Sequence, residues 1–259
     1  MTTIDDPLDT PLPPAKITND LAIGDLWAAL SAGWKDFAAM PQYGIAIGGA
    51  YVITGLVLGY LAFVMGQTSV LIPAIAGFPL IAPFIAVGLY EASRRREEGE
   101  PLSWASVLGA LKGKGDEQIL SMGVIVFVAF AFWMIVAHSV SAIFMAEAGP
   151  GAESLAFLTT GMGIAMLVVG GGIGAVMAFA FYSMTVISLP MLVDKPVSFA
   201  TAIIASFKTV QSNLAVMLVW AIIIAVLLFL AMIPAFLGLI VILPLLGHAT
   251  WHLYRRALG

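Results

Sequence analysis

The chain has 259 residues, 61% of them hydrophobic and 10% charged, with a formal net charge of -4 and a mean hydropathy of +1.04. A soluble domain carries about 25% charged residues, so this composition belongs to the membrane class. The absence of cysteine excludes disulfides and thiolate metal sites, and 11 Lys and Arg without a long tract exclude a nucleic-acid face.

The amino terminus, MTTIDDPLDTPLPPAKITND, is acidic and proline-rich and lacks the apolar stretch of a signal peptide. Residues 1–17 read as a disordered cytoplasmic tail ahead of a single integral membrane domain over 18–259. Six apolar runs follow, at about 44–65, 68–90, 119–145, 161–189, 214–232 and 235–256. Each is long enough for a roughly 30 Å hydrocarbon core. The tightest connection is expected between the last two, at Met232 to Ala235. The runs at 119–145 and 161–189 have no polar face, which argues against a soluble helical bundle.

Charge sets the expected orientation. With six spans, the loops 66–67, 146–160 and 233–234 hold no Lys or Arg, only Glu147 and Glu153, and all 11 basic residues fall on the other side. The positive-inside rule then places both termini in the cytoplasm.

Between spans, 26–40, 101–114 and 197–214 have mixed polarity and fit amphipathic helices in the inner interface. The first sets Leu26, Leu30, Trp34 and Phe37 on one face, with Lys35 and Asp36 off it. The second follows a helix-start signal, Pro101 then Ser103, and sets Trp104, Val107, Leu108 and Leu111 likewise. WAALSAGWK, WASVLGALK and FATAIIASFK recur at unequal spacing. Three units of interfacial helix plus transmembrane hairpin are thus weighed against generic re-use of an interfacial anchor. The fold class is all-α and polytopic.

Within the spans, Gly170, Gly171, Gly172 and Gly174 suggest close helix approach and a central place for the fourth span. Pro73, Pro79 and Pro83 imply a kinked second span, the kind of helix that lines a transport site. His138 lies inside the third span, where a neutral imidazole hydrogen-bonded across helices is expected. Intramembrane Ser and Thr can satisfy carbonyls of their own helix. His248 and His252 stand one turn apart near the inner end of the last span, roughly 10 Å deeper than His138 by helical rise. With Glu91 at similar depth, they are candidate metal ligands, weighed against an interfacial role with Glu91 and Asp194 paired to arginines. No nucleotide loop or hydrolase motif is present, and the sequence specifies no catalytic residue and no cofactor.

LWAALSAGWKDF, GFPLIAPFIAVGLYEASRRREEGEPLSW, SLPMLVD and GLIVILPLLGHATWHLY, taken together and in order, resemble the bacterial integral membrane family catalogued as domain of unknown function 2189. The likeness runs from about Asp20 to Arg256 and implies a multi-pass inner-membrane protein of unassigned activity. Relatives are sometimes labelled cytochrome c oxidase subunit I, but six spans and three histidines at mismatched depths do not fit that catalytic subunit. A non-enzymatic scaffold, assembly or accessory component is the first reading. It would act on a membrane-protein partner or respiratory complex through an exposed surface of Trp34, Asp36, Glu91, Arg94, Arg95 and Asp194. A transporter or channel for a small or apolar substrate is the second, and a metal or haem protein using His248 and His252 the third.

Overall fold

The computed structural model describes residues 17–65, 86–112, 117–149 and 155–258. All regular structure among them is helical. In chain order the helices are α1 (Ile23–Ala39), α2 (Pro41–Phe63), α3 (86–98), α4 (Trp104–Gly109, extended by a 3-10 turn over Ala110–Lys112) and α5 (Gln118–Ala148). After a 3-10 turn at Leu155–Thr159 come α6 (Gly161–Thr185), α7 (Ser188–Asp194), α8 (Phe199–Ser212), α9 (Leu214–Met232) and α10 (Leu239–Leu258). The expected tail, except for Ile17, lies outside the described residues, as does the expected second span with its three prolines except for 86–90.

Among the described residues, four helical stretches are long and apolar enough to cross a membrane: Pro41–Leu61, Gln118–Ala148, Gly161–Asp194 and Leu214–Met232. Helix α10 is not one of them. Its first half is apolar, but its second half carries His248, Thr250, His252, Arg255 and Arg256 and is largely buried in protein. The turn before it is longer than expected: residues 233–238 all turn, with Ala235 and Phe236 at positive φ, and the helix starts at Leu239.

The chain divides into two compact units, Met1–Gly123 with Ser183–Gly259, and Val124–Tyr182. In the larger, α10 packs on α1, α2, α7 and α9. Small residues set these crossings. A Cβ on Gly33 of α1 would lie 2.6 Å from the Ala249 backbone nitrogen, and one on Gly48 of α2 would lie 2.7 Å from the Ile240 Cα. Two apolar clusters brace the ends: Met40, Tyr43, Ala92 and Val107 at one, Val52, Ala231 and Leu239 at the other.

The inward face of α1 is rotated from the one expected. Leu26, Ala29, Gly33, Asp36 and Phe37 are buried, while Trp34 is exposed. The reason is steric and polar together: Ala29 and Gly33 admit α10, and Asp36 finds donors there. On α4 only Val107 is buried, and Trp104, Leu108 and Leu111 face outward. The entry to α4 is as the sequence implied, with the Ser103 side chain accepting from the Ser106 N–H at 3.2 Å.

The expected fourth span is broken at 186–187 between α6 and α7. Pro190 has no N–H for the Val186 carbonyl, so the preceding turn cannot close. Ser206 of α8 enters the gap: its hydroxyl donates to the Ser183 carbonyl at 2.6 Å and accepts from the Ile187 N–H at 3.2 Å. In an unbroken helix those two backbone groups would bond to each other. The smaller unit is the facing part of α5 and α6, where Gly170 meets Val140 and Gly174 meets Trp133. Among the described residues, Gly171 and Gly172 have nothing beside them, and no residue from 164 to 182 is buried.

Replacing Ser206 with Ala should lower stability by about 1–3 kcal/mol, because the buried Ile187 N–H loses its acceptor. Thermal unfolding of the detergent-solubilised protein should show this, with Ser212→Ala, at an exposed position, unchanged.

Candidate functional site

Helices α1, α3 and α10 meet at a buried polar cluster centred on one carboxylate. Gly33 seats α1 on Ala249, and Asp36, three residues on, therefore faces His252, three residues beyond Ala249. Asp36 Oδ2 accepts from the Ser93 hydroxyl at 2.6 Å and from His252 Nε2 at 2.8 Å, and Asp36 Oδ1 pairs with Arg96. Ser93 Oγ lies 2.7 Å from His248 Nδ1. Because the hydroxyl proton is committed to Asp36, His248 must donate through Nδ1, which leaves Nε2 as a bare lone pair. That atom is buried and has no hydrogen-bond partner among the described residues.

Burial alone would raise the Asp36 pKa, but hydrogen bonds from His252, Ser93 and Arg96, with the charge of His252, outweigh it and hold the pKa below the usual carboxylate value. The order of contacts is not that of a hydrolytic triad. Ser93 sits between carboxylate and imidazole and is 1% exposed.

Two further layers surround this cluster. Glu91 accepts from Arg94 at 2.9 Å through each oxygen and from Arg95 at 2.6 Å, and Arg94 also pairs with Glu98 and Glu100. Glu97 accepts from Trp251 Nε1 at 3.0 Å and Arg255 at 3.1 Å. Asp194, at the end of α7, accepts from the Tyr254 hydroxyl at 2.6 Å and lies 3.4 Å from Arg255. The segment before α1 is tied in too. Thr18 N–H donates to the Ala257 carbonyl, Arg256 pairs with Asp20 and Asp25, and Asn213 accepts from the Leu21 N–H.

The surface expected from Trp34, Asp36, Glu91, Arg94, Arg95 and Asp194 is therefore not an exposed one. Asp36, Glu91 and Arg94 are buried, the Asp194 side chain is 8% exposed, and of the six Trp34 alone is an exposed residue. Each carboxylate left in this low-dielectric setting needs donors, and the arginines supply them by folding inward. His248 and His252 do converge, on Ser93 and Asp36, whereas Glu91 is held by Arg94 and Arg95. Among the described residues, no group of three or more His, Asp or Glu side chains is placed to hold a metal ion. His138 bonds to the Met134 carbonyl of its own helix at 3.1 Å, not across helices, and Ser139 does the same to Ile135. Sequence reading missed Ser93, Arg96 and Glu97 as site residues; their i, i+3 and i+4 spacing along one helix was the available signal.

Four helical stretches long and apolar enough to cross a membrane mark an integral membrane protein. Residues 71–194 match the family described as "predicted integral membrane protein (DUF2189)", so the resemblance read from the motifs is shown over that stretch. No curated protein and no solved structure matches the chain.

Replacing Asp36 with Asn should cost roughly 3 kcal/mol near neutral pH, because a buried charge-paired partner is lost. With its folded pKa depressed, Asp36 contributes stability above its unfolded value of about 4 and loses it as pH falls through the folded value. The difference in unfolding temperature between the two proteins should therefore shrink below about pH 4.

Proposed function

We propose that the protein is a non-enzymatic scaffold, assembly or accessory component of a bacterial inner membrane, acting on another membrane protein. The carrying observation is the fate of its ionisable groups: Asp36, Glu91, Glu97 and Asp194 are spent on intramolecular partners, and those of Asp36, Glu97 and Asp194 fasten α1, α3, α7 and α10 together. Such a network favours a rigid frame over an open reaction centre. The outward faces of α2, α5, α6 and α9 are apolar, which suits contact with lipid or with another membrane protein.

The proposed topology has six crossings with both termini cytoplasmic, arranged as three units of interfacial helix plus hairpin. The segregation of all 11 basic residues supports the orientation. Local geometry supports the repeat. Helix α1 passes into α2 through Met40 at φ -133°, ψ 47°, and α8 passes into α9 through Asn213 at φ -129°, ψ 36°. Counted back from those junctions, the buried Ala29, Gly33, Asp36 and Phe37 fall in step with the buried Ala202, Ser206, Thr209 and Val210. EPLSW and KPVSF lead into α4 and α8, each with its serine capping the helix.

Since the chain has no cysteine, single replacements report sidedness cleanly. Glu147→Cys should react with a membrane-impermeant maleimide on intact cells, and Gly109→Cys only after permeabilisation. Purification of the full chain in mild detergent from native membranes should retain a membrane-protein partner in fixed ratio, and reciprocal purification of that partner should return this chain. A stoichiometric metal or visible chromophore in the preparation, or saturable solute flux in proteoliposomes, would overturn the non-enzymatic scaffold reading.

A further inference from the structure

The two kinds of cation are used differently. Every described arginine is paired with a carboxylate: Arg94 and Arg95 with Glu91, Arg96 with Asp36, Arg255 with Glu97, Arg256 with Asp25. Lys35, Lys112 and Lys208 are exposed, and among the described residues none of them has an ion pair or hydrogen bond. Each directly follows an outward apolar side chain: Trp34 is 51% exposed, Leu111 40% and Phe207 37%.

These pairs belong to longer stripes. On α1 the 3-4 spacing extends the Trp34 stripe to Trp27, which is 63% exposed, and on α4 it joins Leu111 to Trp104 and Leu108. The helices that carry them lead within a few residues into α2 at Pro41, α5 at Gln118 and α9 at Leu214, all candidate spans. Indole rings at the mouth of a spanning helix suit the headgroup zone. A free ammonium on a flexible stem beside them is a point charge for phosphate, reached by snorkelling. Had these lysines been meant to close the fold, the carboxylates that hold the arginines would have been their partners.

We propose that α1, α4 and α8 form a collar that binds anionic phospholipid, with Lys35, Lys112 and Lys208 on headgroup phosphates and the neighbouring rings and leucines at the acyl boundary. This rests on the topology proposed above, which puts the three helices at one membrane surface.

The full chain, reconstituted in phosphatidylcholine vesicles with trace spin-labelled phosphatidylglycerol or spin-labelled phosphatidylcholine, tests it through the motionally restricted lipid fraction. The collar predicts a preference for the anionic label of about fivefold at each lysine, weakened by salt and abolished in the combined K35Q, K112Q and K208Q variant. Equal association of both labels with the unmodified chain overturns the collar. So does a dimer whose interface covers the stripes and removes the preference. Ser31→Cys, Gly109→Cys and Gln211→Cys, all at exposed positions, must label from one side in the same vesicles. Labelling from opposite sides sinks the topology and the collar together, whereas one-sided labelling without lipid preference sinks the collar alone.

Discussion

The approach of α1 to α10 at Gly33 and Ala249 fixes the register on which the polar cluster depends. With no Cβ on Gly33, the α1 backbone comes close enough that any side chain there would enter the Ala249 main chain. One turn further along both helices, that closeness becomes a 2.8 Å contact between Asp36 and His252. Carboxylate burial is tolerable only when donors converge on it, and the donors come from two other helices, α3 and α10. Small-residue packing and charge satisfaction are thus one constraint, because neither the crossing nor the cluster has a reason to hold its geometry without the other.

A membrane setting explains why so much chemistry is directed inward. In a water-soluble protein, Glu91 or Asp194 could be left at the surface at little cost. At the ends of spanning helices, solvation is poorer, so each carboxylate is matched to a guanidinium, an indole N–H or a phenol. Arginine serves this better than lysine because its planar fork meets both oxygens of Glu91 at once. The same logic leaves lysine, a hydrated point charge, for the outside.

Much of this architecture was legible in the chain, and the rest was hidden for identifiable reasons. Apolar run length located α2, α5, α6 and α9 closely, since hydrocarbon thickness imposes a length on sequence. The Ser103 cap was readable because it is local. Asp36 misled: hydropathy assigns a carboxylate to the outer face, and only partners 57 and 216 residues away in sequence turn it inward. The break before α7 was half visible, in Pro190, while the hydroxyl that bridges it arrives from Ser206 on another helix. Glycines in α6 looked like a central packing face, yet pattern alone cannot say which of several small residues meets a neighbour. Among the described residues, Gly170 and Gly174 do; Gly171 and Gly172 do not.

The proposed three units also give a reason for where each interfacial helix sits. Helix α4 of the second unit rests on α3, the end of the first, with Val107 against Gly88. Helix α8 of the third rests on the end of the second, with Ser206 in the gap between α6 and α7. By the same rule α1 of the first should rest on the end of the third, and it rests on α10. In the proposed repeat, α4 and α8 each rest on the helix before them, and α1 rests on the last helix through contacts distant in sequence. The ties from Thr18 and Asp25 to the last turns of α10 lie at that last contact. The contact with α10 buries the inward face of α1, and Asp36, His248 and His252 are gathered at this junction.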